Sequence, residues 1–211
     1  MDAPAFVETI ETAMATELNR LGSQKLLLAL TGADLERETI LQVVVTDGIA
    51  ARELYESWAT GASTSAFVEA IRAAADREED HLDRLEDEFD ITTTPSFDRP
   101  PVYTHLQEYT TPIERTAGGL VALPMLRMRT YNQVVGFFIN EAAPGPTDVF
   151  RDLKAETETA ITDGAAVLAE LCTDETDQER ARSAAEATIT AAYESYAETL
   201  EGMGLDPRPI C

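Results

Sequence analysis

The chain has 211 residues, 44% of them apolar, enough for one domain with a substantial core. Acids outnumber bases 39 to 16, for a net charge of −23, and they are spread along the chain without forming blocks. That pattern fits a salt-adapted, halophilic surface and offers no basic patch for nucleic acid. No apolar run approaches the ~20 residues of a membrane span, and no signal-peptide pattern opens the chain. Two cysteines, Cys172 and Cys211, make no disulfide framework, so a cytoplasmic location is expected.

In chain order, apolar periodicity predicts about six helices and no competing strand. The first covers about 4–31, with a break near Gly22, and Gly32 ends it. The second covers about 34–59, ending before Gly61. The third covers about 64–90, capped by Ser63 or Thr64. A Thr- and Pro-rich loop, 91–101, follows. The fourth runs from about 102 to 141, and Pro112 and Pro124 must kink or split it. "APGPTD", 143–148, reads as a hard break with Thr147 or Asp148 capping a fifth helix to about 172. "TDETD" separates that from a sixth, about 177–203. Residues 1–204 thus read as one all-α bundle with short connections, and 205–211 as an extended, Pro-rich tail.

Two acids break the apolar faces of this pattern. On the third helix Phe67, Ile71, Leu85 and Phe89 fall within about 20° of Glu78, and His81 stands about 60° to one side. On the second, Ile40, Leu54 and Trp58 fall within about 20° of Asp47. A buried carboxylate is costly unless it is paired, protonated or metal-bound. Two readings therefore stand. Asp47, Glu78 and His81 converge on a divalent ion such as iron, manganese or zinc, for which oxygen and imidazole donors are suited. Alternatively they form a buried hydrogen-bonded network with Lys25 or Arg127, which also fall on apolar stripes. His105, near the start of the fourth helix, reads as a surface or capping residue, and Gly118-Gly119 as a bend or close helix approach.

Asp47, followed 31 residues later by Glu78-x-x-His81 on the antiparallel neighbour, resembles the first half of the ferritin-like, rubrerythrin-related diiron bundle. The resemblance covers roughly 34–172, and the ending "GLDPRPIC" with the acidic composition resembles a haloarchaeal group of such proteins. It implies a ferritin-like bundle with additional helices, Asp47, Glu78 and His81 as metal ligands with Glu158 as a fourth, and oxidoreductase handling of oxygen or peroxide. The chain departs from the pattern. Asp47 replaces a Glu, no histidine follows His105 to complete a second Glu-x-x-His, and no four-cysteine electron-transfer module is present. The alternative is a metal-free ferritin-like scaffold acting through protein–protein contact. A homo-oligomer is compatible with the sequence, but no stripe requires one.

Overall fold

The structure, a computed structural model, describes residues 1–60, 64–92, 94–95 and 97–208. The described residues form helices: α1 (Ala3–Ala13), α2 (Ala15–Leu21), α3 (Lys25–Thr31), α4 (Arg37–Ala59), α5 (Ser65–Phe89), α6 (Pro101–Gln107), α7 (Pro112–Arg115), a π-helical segment (Thr116–Ala122), α8 (Leu123–Asn140), α9 (Pro144–Leu171) and α10 (Glu175–Gly202). No helix among them is long and apolar enough to cross a membrane. Gly61, Ser63 and Cys211 lie outside the described residues.

The fold of the described residues is all-helical as expected, but in more helices than six, because two of the expected segments are divided. The first becomes α1, α2 and α3, and the fourth becomes α6, α7, the π-helical segment and α8. Two boundaries differ for local reasons. Helix α9 begins at Pro144 with Ala143 as its cap, not at 147–148. Pro144 and Pro146 occupy its first turn, where their missing N–H groups would have no helical partner anyway. Thr64 precedes α5 with an extended backbone, but its side chain makes no capping bond. The Asp174 carboxylate does cap α10, accepting from the Asp177 N–H at 2.9 Å.

Helices α4 and α5 pack along each other as one hairpin, and α8 and α9 as a second. Contact between α5 and α9 joins the two, and α10 lies across the π-helical segment and α6. The apolar residues divide into two clusters. One contains Trp58, Phe67, Ile71, Leu126 and Ile161; the other contains Ile40, Leu82, Leu85, Phe138 and Phe150.

The π-helical segment positions α8 relative to the rest. Its i→i−5 bond from the Leu123 N–H to the Gly118 carbonyl widens the turn. Pro124 has no N–H to give the preceding turn. The Gly119 carbonyl instead accepts from the buried Tyr55 hydroxyl at 2.9 Å. Glycine is needed on both sides of this contact. A Cβ on Gly119 would lie 2.4 Å from the Trp58 ring, and one on Gly164 of α9 would lie 2.2 Å from the Leu120 carbonyl oxygen.

Gly164→Ala therefore forces backbone apart and is expected to destabilise the protein by about 1–3 kcal/mol. Gly136→Ala in α8 meets nothing within 4 Å and should stabilise by about 1 kcal/mol through helix propensity. Urea unfolding of the two variants measures both; equal shifts would contradict the close approach at Gly164.

Candidate functional site

Between the two apolar clusters lies a layer of charged side chains, with residues from the four helices of the two hairpins. Asp47 comes from α4, Glu78 and His81 from α5, Arg127 from α8 and Glu156 from α9. Along α5 the layer falls between Ala74 of one cluster and Leu82 of the other; along α8 it falls between Leu126 and Tyr131. Glu78 and His81 are 1% and 2% exposed; Glu78 lies on the apolar stripe as expected, and His81, expected at the edge of the stripe, is buried as fully.

Arg127 organises the layer. Its Nε donates to Asp47 Oδ2 at 2.8 Å, its Nη1 pairs with Glu78 Oε1, and its Nη2 donates to the Tyr131 hydroxyl at 2.9 Å. Asp47 is fixed from its other side by the Tyr103 hydroxyl, which lies 2.7 Å from Oδ1 and 2.9 Å from the Asp47 carbonyl. Burial raises the Glu78 pKa, but the charge and hydrogen bond of Arg127 outweigh it, so the carboxyl titrates below its ordinary range. Burial also works against the charge on Arg127, yet Glu78, Tyr131 and Asp47 together hold its pKa well above the usual value. The buried phenols Tyr103, Tyr55 and Tyr131 are all pushed up, so they remain hydrogen-bond donors.

His81 joins the layer to the surface. Its Nε2 lies 3.0 Å from Glu156 Oε2, and Arg84 grips the same carboxylate at 2.8 and 2.5 Å. The hydrogen bonds from Arg84, then from His81, bring the Glu156 pKa down to about 2 despite partial burial. Burial, with Arg127 nearby, lowers the His81 pKa although Glu78 and Glu156 pull it up. A neutral ring with the proton on Nε2 suits Glu156 and leaves Nδ1 as a bare acceptor. Nδ1 has no hydrogen-bond partner, and neither does Glu78 Oε2 one turn away.

Three of the four residues expected as metal ligands are thus brought into one layer, and one is not. Glu158 is exposed on α9. Its neighbour Glu156 takes the position beside His81; both acids flank the apolar stripe of α9, and only the placement of α5 distinguishes them. Lys25, the other cation expected on an apolar stripe, reaches the tail instead, donating to the carbonyls of Asp206 and Arg208 at 2.7 and 2.6 Å. His105 is half-buried in the last turn of α6, 2.9 Å from the Tyr109 hydroxyl. Cys172 is buried at the end of α9. The sequence reading missed Tyr103 and Arg84 as partners; Tyr103 sits beside the loop 91–101, and Arg84 looks like an ordinary surface arginine.

Within the layer, Glu78 Oε2 and His81 Nδ1 are the two free atoms, and both come from one helix. Each oxygen of Asp47 already accepts one hydrogen bond, and a full guanidinium charge lies against both Asp47 and Glu78. Among the described residues no cluster of three or more His, Cys, Asp or Glu is arranged to hold an ion. As arranged, these side chains fit an arginine-centred network better than a metal. Comparison with protein-family models, with curated proteins and with solved structures gave no significant match.

Arg127→Met leaves the buried Glu78 and the partly buried Asp47 without a counter-charge and is expected to cost about 3–5 kcal/mol in urea unfolding. Replacing all three charges together (Asp47→Leu, Glu78→Met, Arg127→Met) should recover that loss, because no buried charge is then left alone. A triple variant as unstable as the single one would refute the ion-triad account.

Because the folded His81 pKa is depressed, the unfolded state binds the extra proton first. The contribution of neutral His81 is fully present above the unfolded value of about 6.5 and declines as pH falls towards the folded value. The Glu78 and Glu156 contributions are lost at lower pH, as each falls from its ordinary range towards its depressed value. His81→Gln should therefore flatten the stability profile just below pH ~6.5 while leaving the later acid loss. Stability curves for wild type and variant that stay parallel between neutrality and the carboxylate range would contradict a neutral, buried His81.

Proposed function

We propose that this protein is a ferritin-like helical bundle whose central positive charge is the side chain of Arg127, and that it acts as a metal-independent scaffold for binding rather than as an oxidoreductase. The observation that carries this reading is the position of the guanidinium. It bridges Asp47 and Glu78, the two carboxylates that the resemblance to diiron bundles would give to a metal. An arginine pairs with both acids at once and carries its charge at all working pH values. Two packed helical hairpins, with Glu78-x-x-His81 on the second helix of the first, support the ferritin-like part of the reading.

A second reading is favoured by one specific observation. Glu78 Oε2 and His81 Nδ1 are both buried and unpartnered, and both are metal-donor atoms. Under that reading iron, manganese or zinc would bind there after Arg127 withdraws from Glu78, and the metal would supply the oxygen or peroxide chemistry. The residues of the chain would then bind and orient the ion: Glu78 and His81 directly, with Glu156 holding the His81 ring through Nε2.

Elemental mass spectrometry of untagged protein, purified at high salt without chelators, distinguishes the two. The expected result is a metal content far below one per chain, the same in wild type and in folded His81→Ala, and a melting temperature indifferent to chelator. About one iron, manganese or zinc per chain, lost in His81→Ala, would overturn the metal-independent reading.

A further inference from the structure

A cavity of about 130 Å³ lies beside Asp47 and Arg127, between α3, α4, α8 and α10, with Pro100 and Pro101 also in its wall. Its wall is chiefly aliphatic, built from residues such as Leu26, Val43, Leu123 and Leu126. Three core residues of its wall are less completely covered than their neighbours in the chain. Val43, Val102 and Leu126 keep 8%, 7% and 9% exposure, whereas Ile40, Tyr103 and Met125 have 0%. The bundle thus leaves a gap here that its own side chains do not fill. The volume is that of a site for one aromatic ring; an apolar cavity of about 150 Å³ takes up benzene.

Part of the cavity wall is charged. Among the described residues lining it, only Asp47 and Arg127 carry charge. They are not equally accessible: the Asp47 side chain is 23% exposed and that of Arg127 5%. Arg127 shares its single positive charge between Asp47 and Glu78, so the triad carries one excess negative charge. Asp47 already accepts from Tyr103 and Arg127, but a carboxylate has about four acceptor positions, so it can take a further donor. An acidic group with net negative charge in the wall of a chiefly aliphatic pocket, in a chain of net charge −23, selects for a cation.

We propose that this cavity is a binding site for a small amphiphilic cation, a primary amine on an apolar body about the size of one aromatic ring, with the ammonium on Asp47 and the body between α3, α8 and α10. The proposal gives the scaffold reading a ligand class and rests on that reading for the Asp47–Arg127 pair.

The test uses three probes of one shape and different charge: benzylamine, benzyl alcohol and benzoate. Each is titrated into the full chain at one fixed salt concentration, followed by methyl NMR shifts and calorimetry. Benzylamine should bind about tenfold or more tighter than benzoate, equivalent to ~1.4 kcal/mol. Ala192→Phe, which places a ring into the cavity from α10, should abolish binding of all three. Asp47→Asn should remove the advantage of benzylamine over benzyl alcohol while the alcohol still binds. Failure of every probe to bind wild type, benzoate binding as tightly as benzylamine, or unchanged binding in folded Ala192→Phe would each overturn the proposal. Metal content measured on the same sample separates the two failures. Metal-free protein that binds no probe refutes the cavity site alone; metal-loaded protein that binds none refutes the scaffold reading as well.

Discussion

The structure depends on a buried arginine that must satisfy two carboxylates at once. Asp47 and Glu78 come from the first hairpin and Arg127 from the second, so the pairing can form only when the hairpins meet in one register. An apolar interface between alanine- and leucine-rich helices tolerates small slides; a fork of hydrogen bonds to fixed oxygens does not. Desolvating three charges costs several kcal/mol per ion, and their mutual attraction roughly offsets it. The layer therefore contributes specificity more than net stability. It separates two apolar clusters that could otherwise merge along several alignments.

The chain places Arg127 with a local irregularity upstream of it. Had the helix run as an uninterrupted α-helix from Pro112, residues after Ala122 would point in different directions, because a π turn adds a residue to the winding and rotates everything that follows. Gly118 and Gly119 let Tyr109 and Trp58 press against the widened turn, and Gly164 lets α9 approach its backbone. Pro124 removes the N–H that would favour regular winding, and Tyr55 takes up the carbonyl that would be left without a partner. The irregular turn and the buried arginine form one device: the first sets the rotation of α8 that the second requires.

How much of this could be read in the sequence follows from the kind of information each feature carries. The helical segments, the burial of Glu78 and His81 and the inward lean of Asp47 follow from 3.6-residue periodicity, which is local. Arg127 was legible as a candidate partner because it interrupts an apolar stripe. Glu156 was not, since Glu156 and Glu158 flank the same stripe on α9 and periodicity cannot say which flank meets α5. The start of α9 was misplaced for another reason. Pro144 and Pro146 mark both a break and a first turn, and only the geometry of the preceding residues decides between them. The π-helical segment has a weak signature, two glycines before a proline, which fits a plain bend equally well.

Surface and interior use charge in opposite ways here. Outside, unpaired acids keep a hydrated shell, and their repulsion is screened by salt. Inside, screening is weak, so each acid needs a partner that stays in place. A dissociable metal would couple that partner to ion supply, pH and competing ligands. A guanidinium on α8 removes the coupling, because the cation is part of the chain and does not lose its proton. Its charge is nevertheless one short of what Asp47 and Glu78 together present. The remaining negative charge has two outlets in the fold. Glu78 is sealed among side chains, while Asp47 lines the aliphatic cavity and is the one acid among the described residues that line it. The deficit of positive charge is thus displayed at a cavity wall, where a mobile cation can reach it without entering the core.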